Sequence, residues 1–331
     1  MKHMVDVQHR IIDESYARDL LPTRGAEAHK WDVGGVIVVA GSPAYPGAAL
    51  LTSRSAGRSG AGIVLLATSR SVIATVASAI PEVAYIPLPE TESSSGARKA
   101  SELIREHLER ATAIVIGPGL SGDAASGNLL ASLFGFGGGS ESVRGRMGFG
   151  SDGPVPRGSD VAASTVFSDS EVNVVLDADG LNWLARQERW WEKLPAQRVV
   201  LTPHPGEMAR LLDRPVEEIT AEPVAVAAEA ARMWSQTVLL KGGHAVVSNG
   251  ETTLVADLAA ASLATAGSGD VLAGVVGGLL AQTGSLVDSA ALAVYVGPRA
   301  ALRVEDRFGV LGVVAADLPD AMATELALLT A

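Results

Sequence analysis

The stretch that decides the fold is SLATAGSGDVLAGVVGGLLA, residues 262–281. Here a glycine-rich turn runs directly into Asp270 and then into a continuous apolar segment with small residues, which predicts the start of a buried helix. Asp270 is therefore expected at a helix N-terminus. The amides of Gly267, Ser268 and Gly269 would lack intrahelical partners there. With the positive end of the helix dipole they would form a pocket for an oxyanion or a phosphate.

Two interpretations of Asp270 are open on this stretch alone. A carboxylate would repel a bound phosphate, so its useful role is to take a proton from a hydroxyl while the amides hold the moving charge. Asp is also a favoured cap and first-turn residue, and glycine-rich turns before helices are common. The catalytic interpretation gains weight from the other turns of the chain.

Composition excludes several classes of protein. The 331 residues suffice for a large core. Since 47% of the residues are hydrophobic but only 4% are aromatic, we expect a core of Ala, Val, Leu and Ile. A net charge of −11 and a pI near 5.0 argue against a nucleic-acid or anionic-membrane surface, while a local basic pocket for phosphates stays open. No apolar run reaches the roughly 18 residues of a membrane-spanning helix. We therefore expect a cytoplasmic protein that binds neither nucleic acid nor membrane.

Cysteine and histidine usage bounds the chemistry further. The chain has no Cys, which excludes disulfides, thiol catalysis and thiolate metal sites. Its six His show no paired spacing of the HxxxH kind. The N-terminus also lacks the apolar segment of a signal peptide.

Five turns are predicted to face a ligand, because each follows or abuts a β-strand and is rich in glycine or acidic residues. They are residues 41–48, 117–122, 177–179, 203–207 and 267–270. Short β-branched runs such as GVIVV before the first of them are typical of buried parallel strands, and open α/β folds bind ligands at the carboxyl ends of such strands. The pattern predicts a doubly wound, mostly parallel α/β sheet flanked by helices, as a single domain with a nucleotide in a cleft. The absence of GxxxxGK[ST], and of GxGxxG after the first strand, removes the P-loop and dinucleotide fingerprints.

Polar residues near these turns have both a functional and a structural interpretation. Asp177 and Asp179 could hold Mg²⁺ through water or a ligand hydroxyl, or cap the following helix, and capping is favoured for one of them. His204 lies between two prolines that fix its backbone, which suits a ligand contact, although a lone His is more often structural. Lys241 stands at a strand end beside two glycines, either as a solvated turn residue or where a nucleotide approaches closely.

Two segments are predicted to carry no chemistry of their own. Residues 7–19 are expected to form a short helix. From 134 to 170 the composition shifts to Gly, Ser, Asp and Arg without periodicity, which predicts an inserted, flexible surface loop.

Six short motifs occur at the five predicted turns and at the strand end beside Lys241. They are AGS with Tyr45-Pro-Gly-Ala48, GPGL at 117–120, LDADGLN at 176–182, LTPHPGE at 201–207, KGGH at 241–244 and AGSGDVLAG at 266–274. Together they resemble the NAD(P)H-hydrate dehydratases of the ribokinase-like superfamily. The resemblance covers nearly the whole chain apart from 134–170, and TPHPGE combined with LDAD and GSGD is specific. The epimerase domain that partners this domain in the family is expected to be absent.

The resemblance implies repair of hydrated NADH and NADPH (NADHX and NADPHX), with ADP or ATP as phosphoryl donor and Mg²⁺ as the accompanying ion. By similarity, the substrate contacts are Ala48, Gly119, His204 and Asp270. The implied nucleotide contacts are Lys241, Gly242, Gly243, His244, Ala245 and Gly269, beside the amides of Gly267 and Ser268. Asp270 resembles the base that activates the ring hydroxyl toward the phosphoryl group, after which phosphate leaves. The family commonly forms tetramers, which implies a homotetramer here.

Two positions depart from the family pattern. Ala259-Ala260 stands where members usually have a Gly-Asn pair, and Tyr295-Val296-Gly297-Pro298 replaces the frequent Tyr-x-His-Gly, so the preference for ADP or ATP stays open. A small-molecule kinase of the same superfamily, such as a vitamin-precursor kinase, would share Asp270 and the anion pocket but has no reason to carry TPHPGE. A non-catalytic nucleotide-binding protein would neither phosphorylate nor dehydrate.

Overall fold

The computed structural model of the protein describes residues 7–136 and 165–330, which pack around one ten-stranded sheet. Its strands are β1 (Arg10–Ile12), β2 (Gly35–Val39), β3 (Ile63–Ser69), β4 (Ala84–Leu88), β5 (Ala113–Ile116), β6 (Asn173–Leu176), β7 (Val199–Leu201), β8 (Thr237–Leu240), β9 (Val246–Ser248) and β10 (Thr253–Ala256). Its α-helices are α1 (Glu14–Asp19), α2 (Lys30–Val33), α3 (Pro46–Arg58), α4 (Arg70–Val76), α5 (Ser94–Leu108), α6 (Ala124–Phe134), α7 (Ala178–Leu184), α8 (Pro205–Leu212), α9 (Val216–Ala221), α10 (Pro223–Trp234), α11 (Ser268–Thr283), α12 (Leu286–Phe308) and α13 (Leu318–Thr330). Short 3₁₀ helices occur at Trp190–Lys193, Ala261–Leu263 and Ala315–Asp317.

The sheet has the order β1-β10-β9-β8-β7-β6-β5-β2-β3-β4. Neighbouring strands are parallel except where β9 pairs with β8 and with β10, because β9 runs against both. The chain winds outward through β2, β3 and β4 in one direction and from β5 to β8 in the other, so the topological switch point lies between β2 and β5. The predicted doubly wound, mostly parallel α/β fold is confirmed.

The strand β2 shows why the sheet is covered on both faces. All five of its residues are buried, and they alternate between two cores. Val36 and Val38 belong to the core that includes α3, α11 and α12, whereas Ile37 and Val39 belong to the core that includes α5, α6 and α10. A parallel strand buried on both faces has no polar side, which explains the continuous apolar run in the sequence.

The predicted buried helix is α11, and its glycines let it lie directly on α3. A Cβ added at Gly274 would stand 2.2 Å from the Thr52 carbonyl oxygen, and one at Gly278 would stand 2.4 Å from the Ala56 carbonyl oxygen. The Thr52 hydroxyl donates to the backbone oxygen of Asp270 at 3.2 Å. Close packing on α3 therefore fixes the start of α11. In the described part of the chain, no helix combines the length and apolarity that crossing a membrane requires.

The predicted helix over residues 7–19 is wrong in its first half. Residues Arg10–Ile12 form β1, which pairs in parallel with β10, and the helix begins only at Glu14. The side chain of Asp13 caps that helix by accepting from the Tyr16 amide at 2.8 Å. The strand forms because an edge of the sheet is available to it, which a local pattern does not reveal.

The predicted insert, 134–170, is drawn too wide at both ends. Phe134 and Phe167 are fully buried, with ring centroids 5.4 Å apart, in the core that contains α6. These ends are therefore packed structure rather than surface loop. The rest of the predicted insert, residues 137–164, lies outside the described residues.

Candidate active site

Hydrogen bonds join the ligand-facing turns at the carboxyl edge of the sheet. The Gly41 amide donates to the Pro118 oxygen at 2.8 Å, which links the turns after β2 and β5. The Ser121 amide donates to the Asp179 carboxylate at 2.8 Å, which links the turns after β5 and β6. The turns after β7 and β8 are joined by the Lys241 amide, which donates to the Pro203 oxygen at 2.8 Å. Because carboxyl ends of parallel strands share one edge, residues far apart in the chain meet here.

Asp270 lies in the first turn of α11, as predicted. Gly267 occupies the N-cap position with φ +91°, a left-handed conformation that a glycine adopts at no steric cost. Burial, followed by the charges of Asp177 and Asp179, raises the pKa of Asp270 from 3.8 to about 6, although Lys241 opposes the rise. The carboxylate is thus ionised at neutral pH, with a pKa much closer to neutrality than an ordinary aspartate has. Such a pKa suits a general base.

Lys241 is held beside the start of α11 by buried carboxylates. Its Nζ donates to Asp177 Oδ1 at 2.8 Å and stands 3.6 Å from Glu207 Oε2; the side chains of the two acids are 2% and 5% exposed. Thr202 Oγ1 donates to the same Asp177 oxygen at 2.7 Å. Burial lowers the pKa of Lys241, but Asp177 and Glu207 outweigh it and keep the ammonium charged. A Cβ added at Gly269 would stand 3.5 Å from that Nζ, so the cation faces the glycine turn.

His204 is the N-cap of α8, which is the structural role that the sequence left open for it. Its Nδ1 accepts from the amides of Gly206 at 3.0 Å and Glu207 at 3.4 Å, while its own amide donates to Glu207 Oε2 at 2.8 Å. Burial and the nearby cations Lys241 and Arg210 lower the pKa of His204, although Glu207 opposes them. The neutral ring therefore carries its proton on Nε2. Since half of the side chain is exposed, this N–H is a donor that a ligand can reach.

The two acidic residues after β6 do not cap α7 with their side chains. Asp177 occupies the N-cap position, but its side chain makes no capping hydrogen bond because Thr202 and Lys241 hold it. Asp179 lies in the first turn of α7 and accepts from Ser121. One of the two acids, Asp177, thus stands at the predicted cap position, but without the hydrogen bond by which a capping side chain stabilises a helix. Within the described residues, no group of three or more His, Asp or Glu is arranged to hold a metal by itself.

A cavity of about 530 Å³ opens beside Lys241; we call it the nucleotide cavity. Seven predicted site residues line it: His204, Lys241, Gly242, Gly243, Ala245, Ser268 and Gly269. The rest of its lining is largely small or apolar and includes Leu258, Leu263, Val294 and Met322. The positions that depart from the family pattern also face it, since Ala260, Gly297 and Pro298 are lining residues.

The remaining predicted residues lie around the nucleotide cavity or apart from it. His244 is exposed, and its Nδ1 lies 2.9 Å from the Ala256 oxygen. Ala48 and Gly119 meet on the side of β2 and β5, where a Cβ added at Gly119 would stand 2.5 Å from the Ala48 Cβ. The site thus has one side at β8 and β9, where the sequence predicts the nucleotide contacts, and a second side at β2 and β5, with Asp177 after β6, between them.

Several residues of this site were missed from the sequence. Glu207 follows His204 by three residues, which is the spacing of a capping box and could have indicated its contact with the His204 amide. Arg210 lies on α8 with its guanidinium near Gly206. Its Nε donates to Asn182 Oδ1 at 3.0 Å. Thr202 and Asn182 carried no signal that the sequence could give.

The fold is that of one class of α/β proteins, the ribokinase-like proteins. A ribokinase-like superfamily protein of Enterococcus faecalis shares the fold with a TM-score of 0.76 at 19% identity, over 99% of each chain. The ADP/ATP-dependent NAD(P)H-hydrate dehydratase of Bacillus subtilis, co-crystallised with ATP and Mg²⁺, matches with a TM-score of 0.75 at 25% identity, over 98% of this chain and 99% of that one.

Within that class, the family model for NAD(P)H-hydrate dehydratase matches residues 36–134 and 147–324, and the chain belongs to this family. A bifunctional NAD(P)H-hydrate repair enzyme of Moorella thermoacetica is 34% identical over 96% of this chain and 54% of its own length. The ADP-dependent (S)-NAD(P)H-hydrate dehydratase of Nitrosopumilus maritimus is 28% identical over 91% of each chain. The chain spans about half the length of the bifunctional relatives it matches.

Proposed function

We propose that the protein is an ADP-dependent (S)-NAD(P)H-hydrate dehydratase, which removes the ring hydroxyl of NADHX or NADPHX and restores NADH or NADPH. The observation that carries the proposal is the position of Asp270. This half-buried carboxylate lies in the first turn of a helix, and the residue before it, Gly269, lines a cavity that is large enough for a nucleotide and that the charged Lys241 also lines. The proposed substrate, a hydrate of NADH or NADPH, is taken from the names of the family and of its relatives.

The adenine nucleotide, ADP or alternatively ATP, binds in the nucleotide cavity. Its base and ribose lie against the apolar lining and the backbone of residues 241–245, where the glycines permit close approach. Its phosphates reach the amides of Gly267 and Gly269 at the N-terminus of α11, whereas the predicted third donor, the Ser268 amide, donates to the Thr265 oxygen at 3.3 Å. Lys241 supplies the positive charge that a phosphate group requires.

The acidic residues near the phosphates fit Mg²⁺. Asp177, Asp179 and Asp270 lie near enough to influence one another's charge, and Mg²⁺ prefers oxygen ligands. Since the described residues include no complete protein cage, most ligands of the ion would be phosphate oxygens and waters, with Asp177 or Asp179 behind them. When bound, the ion neutralises charge on the transferred phosphoryl group.

The reaction follows from the position of the base. Asp270 takes the proton of the ring hydroxyl as its oxygen attacks the terminal phosphorus, and the bond from that phosphorus to the AMP oxygen breaks. The amides of Gly267 and Gly269 stabilise the charge on the phosphoryl oxygens. The carbon–oxygen bond of the resulting ester then breaks with release of phosphate, and loss of a proton from the neighbouring ring carbon restores the reduced ring. One hydrate and one ADP thus give one reduced dinucleotide, AMP and phosphate.

The hydrated ring binds between Asp270 and the contact of Ala48 with Gly119. A side chain at Gly119 would fill the space over Ala48, and its φ of +62° also favours glycine. His204 offers its Nε2–H to the substrate as a neutral donor. Arg210, held by Asn182, adds a positive charge beside His204.

The test is to incubate purified NADHX with the protein, Mg²⁺ and either ADP or ATP. We expect phosphate release and recovery of the reduced-nicotinamide absorbance in equal amounts, with Asp270→Asn inactive. A phosphorylated product that persists would instead identify a small-molecule kinase. Nucleotide binding with neither product would identify a binding protein.

We also propose a cytoplasmic homotetramer. Leu311 is 98% exposed, and Phe308, Val310 and Val314 in the same loop are each 46% exposed or more, so this segment presents apolar surface that an interface would cover. The cytoplasmic assignment is supported by the substrate, since NADH and NADPH circulate there. A solution mass of one chain at micromolar concentration would exclude the tetramer.

A further inference from the structure

A second cavity, of about 430 Å³, opens at the carboxyl ends of β2, β3 and β4. We call it the acidic cavity, because Glu90, Glu92 and Asp123 are among its lining residues. Leu88, Leu120 and Leu129 supply apolar surface to it, and none of its described lining residues is Lys or Arg. The proposed reaction makes no use of this cavity.

The acidic cavity borders the proposed substrate contacts. Its lining residues Ser42 and Pro43 belong to the loop that leads to Ala48, and Leu120 follows Gly119 directly. The hydrogen bond from the Gly41 amide to the turn before Gly119 fixes these two loops together. A ligand that binds against the contact of Ala48 with Gly119 therefore lies next to this cavity.

The spacing of the strands fits a dinucleotide. Asp177 follows β6, and the acidic cavity is centred near β3, three strand positions away in the order β6-β5-β2-β3. At roughly 4.8 Å for each position this is about 14 Å. A diphosphate-linked dinucleotide can bridge that distance with its ring at Asp270. The nucleotide cavity at β8 and β9 is then free for the phosphoryl donor.

Hydrogen bonds keep the carboxylates of Glu90 and Asp123 ionised at neutral pH. The Ser71 amide donates to Glu90 at 2.8 Å and holds the pKa of Glu90 below its ordinary value. Burial raises the pKa of Asp123, but hydrogen bonds from Ser121 and Ser126 outweigh it and lower the pKa. Ionised carboxylates accept hydrogen bonds from a ribose diol and repel a phosphate. In dinucleotide sites generally, an acidic residue binds the ribose 2′-hydroxyl, whereas an Arg accommodates a 2′-phosphate.

We infer that the acidic cavity binds the adenosine half of the hydrated dinucleotide and selects NADHX over NADPHX. The inference rests on the proposed function for the identity of the substrate. It adds the place of the second nucleoside and the physical cause of a preference between the two hydrates. The cause is repulsion of the 2′-phosphate by Glu90, Glu92 and Asp123, with no Lys or Arg among the described lining residues to offset it.

The experiment has a turnover arm and a binding arm. In the first, kcat/KM is measured for NADHX and NADPHX with the wild type, Glu92→Arg and Glu82→Arg. Glu92 is the exposed acid of the cavity, and Glu82 is an exposed acid before β4, at the opposite edge of the sheet, so the two variants change charge equally. In the second arm, the unreactive dinucleotides NAD⁺ and NADP⁺ are titrated into the same three proteins by calorimetry.

We expect the wild type to prefer NADHX by about tenfold or more, as one or two like-charge contacts would cause. Glu92→Arg should shrink that ratio by about tenfold, by raising kcat/KM for NADPHX, and Glu82→Arg should leave it unchanged. Equal kcat/KM for both hydrates in the wild type, or equal shifts in both variants, would overturn the inference. A preference for NAD⁺ over NADP⁺ that Glu92→Arg reverses, in a protein that turns over neither hydrate, would refute the proposed function alone. Failure to bind either dinucleotide would refute the cavity assignment.

Discussion

The carboxylate of Glu207 stands 3.6 Å from the ammonium of Lys241, and it also accepts a hydrogen bond from the His204 amide at 2.8 Å. One buried side chain therefore contacts both a residue of the nucleotide cavity and the proposed substrate donor. If Glu207 orients both, then losing its charge should weaken turnover without unfolding α8.

We expect Glu207→Gln to lower kcat/KM by about tenfold, because the amide oxygen of Gln still accepts from His204 while the charge facing Lys241 is lost. The matched control is Asp32→Asn. Asp32 caps the His29 amide at 3.0 Å in a second His-based capping box, on α2. Steady-state kinetics and melting temperatures of the two variants separate the roles. Equal loss of activity in both, or a fall in melting temperature that accounts for the lost activity, would contradict a positioning role.

The pH dependence of turnover should report Asp270. Since its pKa is raised to about 6, the base is protonated below that pH, and kcat/KM should fall as pH drops through 6. Asp270→Asn should lower kcat by roughly a hundred- to ten-thousand-fold at pH 7.5, as loss of a general base does. Nucleotide affinity, measured by titration with AMP, should stay near that of the wild type. An acidic limb that lies near pH 4, or near-normal turnover by the Asn variant, would exclude Asp270 as the base.

The same carboxylate should reduce stability at neutral pH. A carboxyl group with a raised pKa favours its protonated form in the folded state, so its contribution to stability is present below pH 4 and is lost as pH rises through about 6. Replacement by Asn should therefore stabilise the protein at pH 8 by on the order of 2 kcal/mol, and should change little at pH 4. Urea unfolding at the two pH values measures the difference. A variant that is less stable than the wild type at pH 8 would contradict this account.

The contact of α11 with α3 should not tolerate a methyl group. In Gly274→Ala the new Cβ would stand 2.2 Å from the Thr52 oxygen, so the helices must separate, at a cost of about 1–3 kcal/mol in the free energy of unfolding. Gly57→Ala, in α3, is the control, because no atom lies within 4 Å of its added Cβ. That variant should be neutral or more stable by up to about 1 kcal/mol, since Ala favours a helix over Gly. Similar midpoints of chemical unfolding for the two variants would show that α11 does not depend on this contact.

Two features of the fold could be predicted from the sequence: the start of α11, and the gathering of the turns at the carboxyl edge of the parallel sheet. The glycine turn before Asp270 and the apolar run after it are both local, so the start of α11 was predictable. The gathering of the turns at one edge followed from the parallel strands. Glu207 and Lys241 meet across 34 residues of sequence through the order of β7 and β8, and no local pattern encodes that order.

Two predictions were wrong because the segments concerned pack against residues that are far away in the sequence. The strand β1 exists through pairing with residues 254–256, which lie far along the chain. Phe167 stands in a polar stretch, yet it is buried against Phe134 because α6 offers an apolar face. The helix α6 itself was not predicted, since its small and polar residues in AASGNLLASLF weaken the periodic signal that marks a helix.

The buried contact of Phe134 with Phe167 has a consequence for engineering the protein. A helix that follows a parallel strand returns toward the opposite edge, so the end of α6 and the residues before β6 lie far from Asp270 along the strand direction. Arg198, just before β7, donates to the oxygen of Phe167 at 3.2 Å, which places this junction at the amino edge of the sheet. A fluorophore or an affinity handle attached at the exposed Ser168, next to these two aromatic residues, would thus be tethered at the pole opposite the chemistry.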